Sequence, residues 1–347
     1  MINEEALRTY LLSRTPDAAG IEITKLGSGV QGSGFLVAIT TRKARKEYVV
    51  KTLVSAGFGH DYPSDRAAVF LLDLDEYGNL DKHVKAVDVL AELPDGSVKP
   101  VGGGIEYYLM MEKAAGTDYF QDLDHMAGKA RLDDRDKARI KAMASYLAKI
   151  HAVRKDSKTL YWRKLRDTVG HGECLMGVFD LYPDAAVAPE LMTDIIKKSV
   201  DFIYRLKPRH RRLSQVHGDF HPGNIWFTGE ADFILLDRSR GPWGEPADDL
   251  TALAVNYIFY SVSRDGMLCG AYREGLELLF GEYGRLTGDR EINEVVAPFF
   301  AFRCAVVANP VFYPDLSHDG RRKMLCFARN VLAEERFDLN RVNEYLR

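Results

Sequence analysis

The sequence predicts an α+β chain in two parts, a small antiparallel sheet near the N-terminus followed by a larger, mainly helical region. Three observations predict it. Short β-rich runs separated by turn residues fill roughly the first hundred positions. Apolar residues recur at helical spacing from Asp133 onward. The chain has 347 residues, too many for one ordinary domain and enough for two.

Residues 21–26, 35–40 and 48–54 are apolar, β-rich runs with turns between them, and 107–112 follows the cluster Gly102, Gly103, Gly104. Together they make the sheet. Ser64 is placed to cap a helix that runs through Leu74 and breaks near Gly78 and Asn79, giving the sheet one helix to pack against. In the second part Ile140, Met143, Leu147 and Ile150 mark one face of a helix. Further helical patterns span 191–206, 247–263, 272–286, 291–308 and 321–335, with short β-like intervals at 225–227 and 233–236. The stretch Lys113-Ala114-Ala115-Gly116-Thr117 has neither period and reads as a hinge, dividing the chain into 1–112, 113–118 and 119–347.

Formal charge is −3, with acidic and basic residues mixed along the chain, so neither a nucleic-acid footprint nor a polybasic membrane surface is indicated. The densest basic run, Lys207 to Arg212, follows a predicted helix C-terminus, where cations are favoured electrostatically. Cys174, Cys269, Cys304 and Cys326 are widely separated, which fits reduced packing residues in a cytoplasm. The N-terminus carries Glu4, Glu5 and Arg8 where a signal peptide would be apolar. The apolar stretch 295–307 is interrupted by Arg303 and too short to cross a bilayer. A soluble, cytoplasmic protein is expected.

The strongest local signal is Val216-His217-Gly218-Asp219-Phe220-His221-Pro222-Gly223-Asn224, a loop between two β-like segments. It sets a carboxylate, Asp219, and an amide, Asn224, on the two sides of a tight Pro-Gly turn. This segment resembles the catalytic loop of the aminoglycoside phosphotransferase and choline kinase group, distant relatives of protein kinases. The resemblance implies a two-lobed protein-kinase-like fold with ATP and Mg2+ as cofactors. It implies that Asp219 receives or orients the acceptor hydroxyl proton and that Asn224 holds magnesium. A turn at Thr228-Gly229-Glu230 leads to Phe233-Ile234-Leu235-Leu236-Asp237, and Asp237 resembles the family's second metal ligand. The sequence then departs from the family with Arg238-Ser239-Arg240, where relatives more often carry an aromatic residue or a small acidic cluster. Arg238 or Arg240 could contact phosphate or an anionic substrate, or both could be solvated or paired with Glu245 or Asp248.

Upstream, Gly27, Gly29 and Gly32 form G-x-G-x-x-G, a pattern that dinucleotide-binding folds also use. Those folds would open a helix with the glycines. Here the β-rich 35–40, a charged turn and Tyr48-Val49-Val50-Lys51 follow, which is a hairpin and a strand ending in lysine. This resembles the kinase nucleotide loop, with Lys51 matching the lysine on the α- and β-phosphates. Asp73, Asp75 and Glu76 compete as its acidic partner. By the same resemblance, the backbone at Glu112 and Ala114 binds adenine. Asp249 resembles an acidic residue that braces the catalytic loop, and His151 reads as structural, as do His217 and His221, which lack a third zinc ligand.

The resemblance runs from about Gly27 to Tyr257 and thins at 162–184 and after Tyr260, where the family builds its acceptor sites. The expected activity is transfer of the ATP γ-phosphoryl group to a small-molecule hydroxyl, with sugar, amino-alcohol and aminoglycoside-like acceptors open. A kinase-shaped nucleotide-binding regulator and a protein kinase are the alternatives. No arginine directly precedes Asp219, which favours a small acceptor over a protein.

Overall fold

The computed structural model describes residues 2–28, 32–55, 59–76, 85–102, 104, 114–184, 186–238 and 240–347. The chain forms two compact units, Met1–Met111 and Glu112–Arg347.

In the first unit, helix α1 (Glu4–Arg14) opens on Asn3, whose side chain accepts the Ala6 N–H at 3.1 Å and satisfies one orphan amide. Strands β1 (Ala18–Ser28), β2 (Gly32–Thr41) and β3 (Arg45–Leu53) form an antiparallel sheet in that order. Val37 and Ile39, two apart on β2, share one face and join Ile21 and Leu7 in a small core. Helix α2 (Pro63–Glu76) starts one residue before the predicted cap Ser64, because proline fits the first helical position and Asp65 accepts the Tyr62 N–H at 2.7 Å. Strands β4 (Leu90–Glu92) and β5 (Val98–Pro100) make a hairpin that the periodicity does not predict, closed by the Leu93 N–H on the Ser97 carbonyl at 2.8 Å. The predicted strand at 107–112 lies outside the described residues.

The second unit contains β6 (Thr117–Asp118), α3 (Phe120–Met126), α4 (Asp134–His151), α5 (Lys158–Gly170), α6 (Leu175–Asp180) and α7 (Pro189–Leu206). After these come β7 (Ser214–Gln215), β8 (Ile225–Phe227), β9 (Phe233–Leu235) and β10 (Trp243–Gly244). The chain ends with α8 (Pro246–Asp265), α9 (Gly270–Thr287), α10 (Ile292–Val295), α11 (Ala297–Val307), α12 (His318–Val331) and α13 (Val342–Tyr345). Strands β6, β8 and β9 form one small sheet, so Thr117 of the predicted hinge stretch pairs with Phe227. Helix α4 begins where Asp133 predicts, through a reciprocal capping box between Asp133 and Asp136.

Helix α8 is the centre of this unit. All of its residues 246–259 are buried, which a helix apolar on every side requires, and it packs on α9 and α11. Its first turn nevertheless carries Asp248 and Asp249, at 1% and 0% exposure, so both need partners. Among the described residues no helix is long and apolar enough to cross a membrane. The fold class is the predicted one, with a small antiparallel-sheet unit and a larger, mainly helical unit.

Candidate active site

The site is built on the loop between β7 and β8. Phe220 is fully buried and stacks on Tyr146 of α4, with ring centroids 6.0 Å apart, which anchors the loop from beneath. Asp249 braces it from the start of α8, accepting the N–H groups of His217 and Gly218, each at 2.7 Å. The same carboxylate meets His151 Nε2 at 3.1 Å, and His151 Nδ1 meets the Tyr283 hydroxyl at 2.9 Å. Burial pushes the Asp249 carboxyl upward, but the hydrogen bond and charge of His151 outweigh it and hold it below the ordinary value. The two loop histidines are also structural on their inner edges. His217 Nδ1 accepts the Asp219 N–H at 3.2 Å and His221 Nδ1 accepts the Gly223 N–H at 3.1 Å.

Asp219 sits at the apex, 8% exposed. Arg303 of α11 donates to its Oδ1, and the same guanidinium donates to Asp248 Oδ1 at 2.9 Å and the Gly218 carbonyl at 3.1 Å. Lys164 of α5 pairs with the other oxygen of Asp248. The second Asp219 oxygen, Oδ2, lies 3.7 Å from Arg240 Nε and 4.0 Å from His221 Nε2, both beyond hydrogen-bonding range. The Nε–H groups of Arg240 and Arg303 are buried and make no hydrogen bond among the described residues. Burial would raise the Asp219 carboxyl, but Arg303, Arg240 and His221 together push it down to about 2.

Asn224 and Asp237 stand at the same end of the β8–β9 hairpin. Ile225 pairs with Leu235, and the Leu236 N–H donates to the Asn224 carbonyl at 3.0 Å, so Asp237 follows the last ladder bond beside Asn224. Asn224 donates its amide N–H to the Asp219 carbonyl at 3.0 Å, which fixes the side chain and leaves its amide oxygen without a partner among the described residues. Asp237 is exposed and left-handed at φ 50, a conformation that aspartate tolerates better than most residues. Among the described residues no group of three or more His, Cys, Asp or Glu converges on one point.

In the first unit, Gly27, Gly34 and Lys51 form one cross-strand row, with Lys51 exposed. Gly32 has a structural reason of its own: a Cβ there would lie 1.8 Å from the Thr52 carbonyl oxygen, so β2 can close on β3 only without one. Asp73, Asp75 and Glu76 all stand on α2. Ala114 belongs to the second unit, and Gly29 and Glu112 lie outside the described residues.

Sequence reasoning misses Arg303 and Lys164. The available signal at Arg303 was a charge inside an otherwise apolar helix, which must find a buried partner. The arginines of the departing segment find other partners than Glu245 and Asp248. Arg238 donates to the Val216 carbonyl at 2.8 and 3.0 Å, and Arg240 donates to the Glu173 carbonyl at 2.9 Å. Glu245 is taken by Arg212 of the basic run, which also holds Asp289.

Beside the loop lies a cavity of about 480 Å³ lined by Phe120, Tyr260, Val306, Phe312 and Tyr313. Phe120 places its ring 6.1 Å from that of His221. Burial, with the Asp219 charge added, pushes the Tyr313 phenol up. Through Phe120 the cavity adjoins His221 of the loop.

Among solved structures, the chain is similar to the amicoumacin kinase hAmiN in complex with AMP-PNP, Ca2+ and Ami, at 14% identity and a TM-score of 0.39, over 98% of this chain and 99% of that one. It is also similar to a thermostable mutant of aminoglycoside phosphotransferase APH(4)-Ia, at 12% identity and 0.37, over 92% and 98%. Choline kinase LicA from Streptococcus pneumoniae gives 15% and 0.36, over 95% and 98%. No curated protein sequence matches the chain. The family profile APH, the phosphotransferase enzyme family, matches residues 22–286, which is well over half of the sequence and includes Lys51, Asp219, Asn224 and Asp237. On that match, the chain belongs to the phosphotransferase enzyme family.

Proposed function

We propose that the chain is an ATP- and magnesium-dependent kinase that transfers the γ-phosphoryl group to a hydroxyl of a small molecule. The observation that carries this reading is the state of Asp219: one oxygen is fixed by Arg303, while the other makes no hydrogen bond among the described residues and stands on the loop that ends in Asn224. A hydroxyl donating to Oδ2 would be oriented for in-line attack. Its oxygen bonds to the γ-phosphorus as the bond to the bridging oxygen breaks, and ADP leaves with that electron pair. With its carboxyl held at about 2, Asp219 is ionised at neutral pH and too weak a base to take the proton early. Its part is to orient the hydroxyl and to accept its proton late, once the bond to phosphorus has formed and made that proton strongly acidic.

Magnesium fits the donor set of Asn224 and Asp237. A fixed amide oxygen and an exposed carboxylate are the hard donors this ion uses when phosphates complete its shell, and it would supply charge neutralisation there. Lys51 is assigned to the α- and β-phosphates, with the backbone near Gly27, Gly29 and Gly32 covering them and that at Glu112 and Ala114 holding adenine. The aromatic cavity supports a small acceptor, since it has room for a ring and lies against the loop. Free cysteines, three of them buried, support a reducing, cytoplasmic location.

Calorimetry with AMP-PNP tests the nucleotide half of this reading. Binding is expected to require magnesium and to weaken roughly tenfold or more in Lys51→Ala and Asp237→Asn; magnesium-independent binding unaffected by either substitution would contradict it. The regulator reading draws on the ion pair of Arg303 with Asp219, and tight nucleotide binding without any turnover would favour it.

A further inference from the structure

Asp219 belongs to a chain of ion pairs that ends in a cation at both sides. Along the connected ion pairs Lys164, Asp248, Arg303, Asp219 and Arg240, three cations face two carboxylates. Arg240 is the member least satisfied. Its Nη1 is held from behind by the Glu173 carbonyl at 2.9 Å and Cys174 Sγ at 3.4 Å, and its guanidinium lies over the Phe302 ring at 5.3 Å. Its Nε–H is buried, makes no hydrogen bond among the described residues, and lies 3.7 Å from Oδ2 of Asp219. Gly218 lets the arginine close on the loop: it has φ +90, and a Cβ there would sit 3.2 Å from Arg240 Cβ. A fixed guanidinium with an unused donor beside the reacting oxygen is a ready partner for an anion.

Two anions could meet it, the phosphates of ATP or a group on the acceptor. The placement favours the acceptor. Arg240 is tied to the turn between α5 and α6, whereas Asn224 and Asp237, the assigned phosphate and metal end, sit at the β8–β9 hairpin. We propose that Arg240 determines acceptor specificity by binding a carboxylate or phosphate carried close to the acceptor's hydroxyl. This inference rests on the kinase reading of Asp219 and narrows its substrate class to anionic alcohols. An acceptor donating its hydroxyl to Oδ2 meets Arg240 on one side. On the other it meets His221, against which Phe120 of the aromatic cavity packs. A cationic group in that place would instead meet the Arg240 guanidinium.

The test uses the full chain with AMP-PNP and magnesium, titrated separately with glycerol, D-glycerate, glycerol 3-phosphate and 3-amino-1,2-propanediol, with binding followed by ligand-observed NMR. At least one anionic probe should bind about tenfold or more tightly than glycerol, and the amine more weakly than either. Arg240→Ala should abolish the preference while AMP-PNP affinity stays within about twofold, and Arg240→Lys should restore part of it. Arg240→Gln serves in place of the alanine variant should that fail to fold. D-glycerate binding better assigns a carboxylate, and glycerol 3-phosphate binding better assigns a phosphate. No anion preference in the wild type, including no binding of any probe, overturns the proposal. So does a preference that survives Arg240→Ala, or a variant that loses AMP-PNP affinity instead. Failure of the wild type to bind AMP-PNP would strike the kinase reading itself, so the two failures are distinguishable.

Discussion

At the scale of single residues, the proposed chemistry turns on a carboxylate that burial and cations pull in opposite directions. Asp219 is held down to about 2 because Arg303, Arg240 and His221 overcome its desolvation. A depressed carboxyl stabilises the fold above its ordinary value of 3.8, and that contribution is lost as pH falls through about 2. Wild-type activity should therefore show no loss of the Asp219 charge at any pH above about 4. Arg303→Met removes the main opposing cation while the burial remains, so the Asp219 carboxyl should rise by about one unit or more. The acid limb of the kcat profile should move up with it, and urea unfolding should show a loss of about 3 kcal/mol, because Asp219 and Asp248 both lose their shared buried partner. An unmoved acid limb would mean that Arg303 does not set the charge state of Asp219. Arg303 is 84 positions from Asp219, and nothing local in the sequence announces the contact. Asp219 and Asn224 of the loop, and Asp237 after β9, could be singled out as candidates because the resemblance that marks them rests on local spacing, which the Pro-Gly turn punctuates.

At the scale of elements, the loop's shape is imposed by the first turn of α8. Asp249 accepts two loop N–H groups and meets His151, so Asp249→Ala should leave those amides unsatisfied and cost about 3 kcal/mol or more, read from the urea midpoint. Asp249→Asn keeps one acceptor oxygen and should lose less. Equal stability of wild type and alanine variant would show that the brace is dispensable. The long helices α4, α7, α8, α9 and α12 were readable because each keeps a strong apolar period or an unbroken apolar run. Helix α1 was not, since its apolar side is little more than Leu7 and Leu11 among charges. The β4–β5 hairpin is too short for a period and left only Pro94-Asp95-Gly96 as its sign. Helix α5 supplies Lys164 and the turn between α5 and α6 supplies the backbone that holds Arg240, in a stretch where the motif resemblance is thin.

At the scale of the whole molecule, the two units differ in how much each buries. The described core of the first is small, built on Leu7, Ile21, Val37 and Ile39, whereas the second surrounds α8 and α11 with aromatic and aliphatic side chains. Local opening should follow that difference. Hydrogen exchange of β1 to β3 is expected to be faster than that of α8 and α11 by about a hundredfold or more, and equal protection would contradict it. The central claim is that this phosphotransferase-family chain moves a phosphoryl group from ATP to a small alcohol. The most direct test is mass spectrometry of a mixed library of hydroxylated metabolites and aminoglycosides incubated with ATP, magnesium and the protein, with Asp219→Asn as the blank. A small molecule one phosphoryl group heavier, formed by the wild type and reduced by about a hundredfold or more in the variant, is the predicted result. No phosphorylated product, or equal product from wild type and Asp219→Asn, would contradict it.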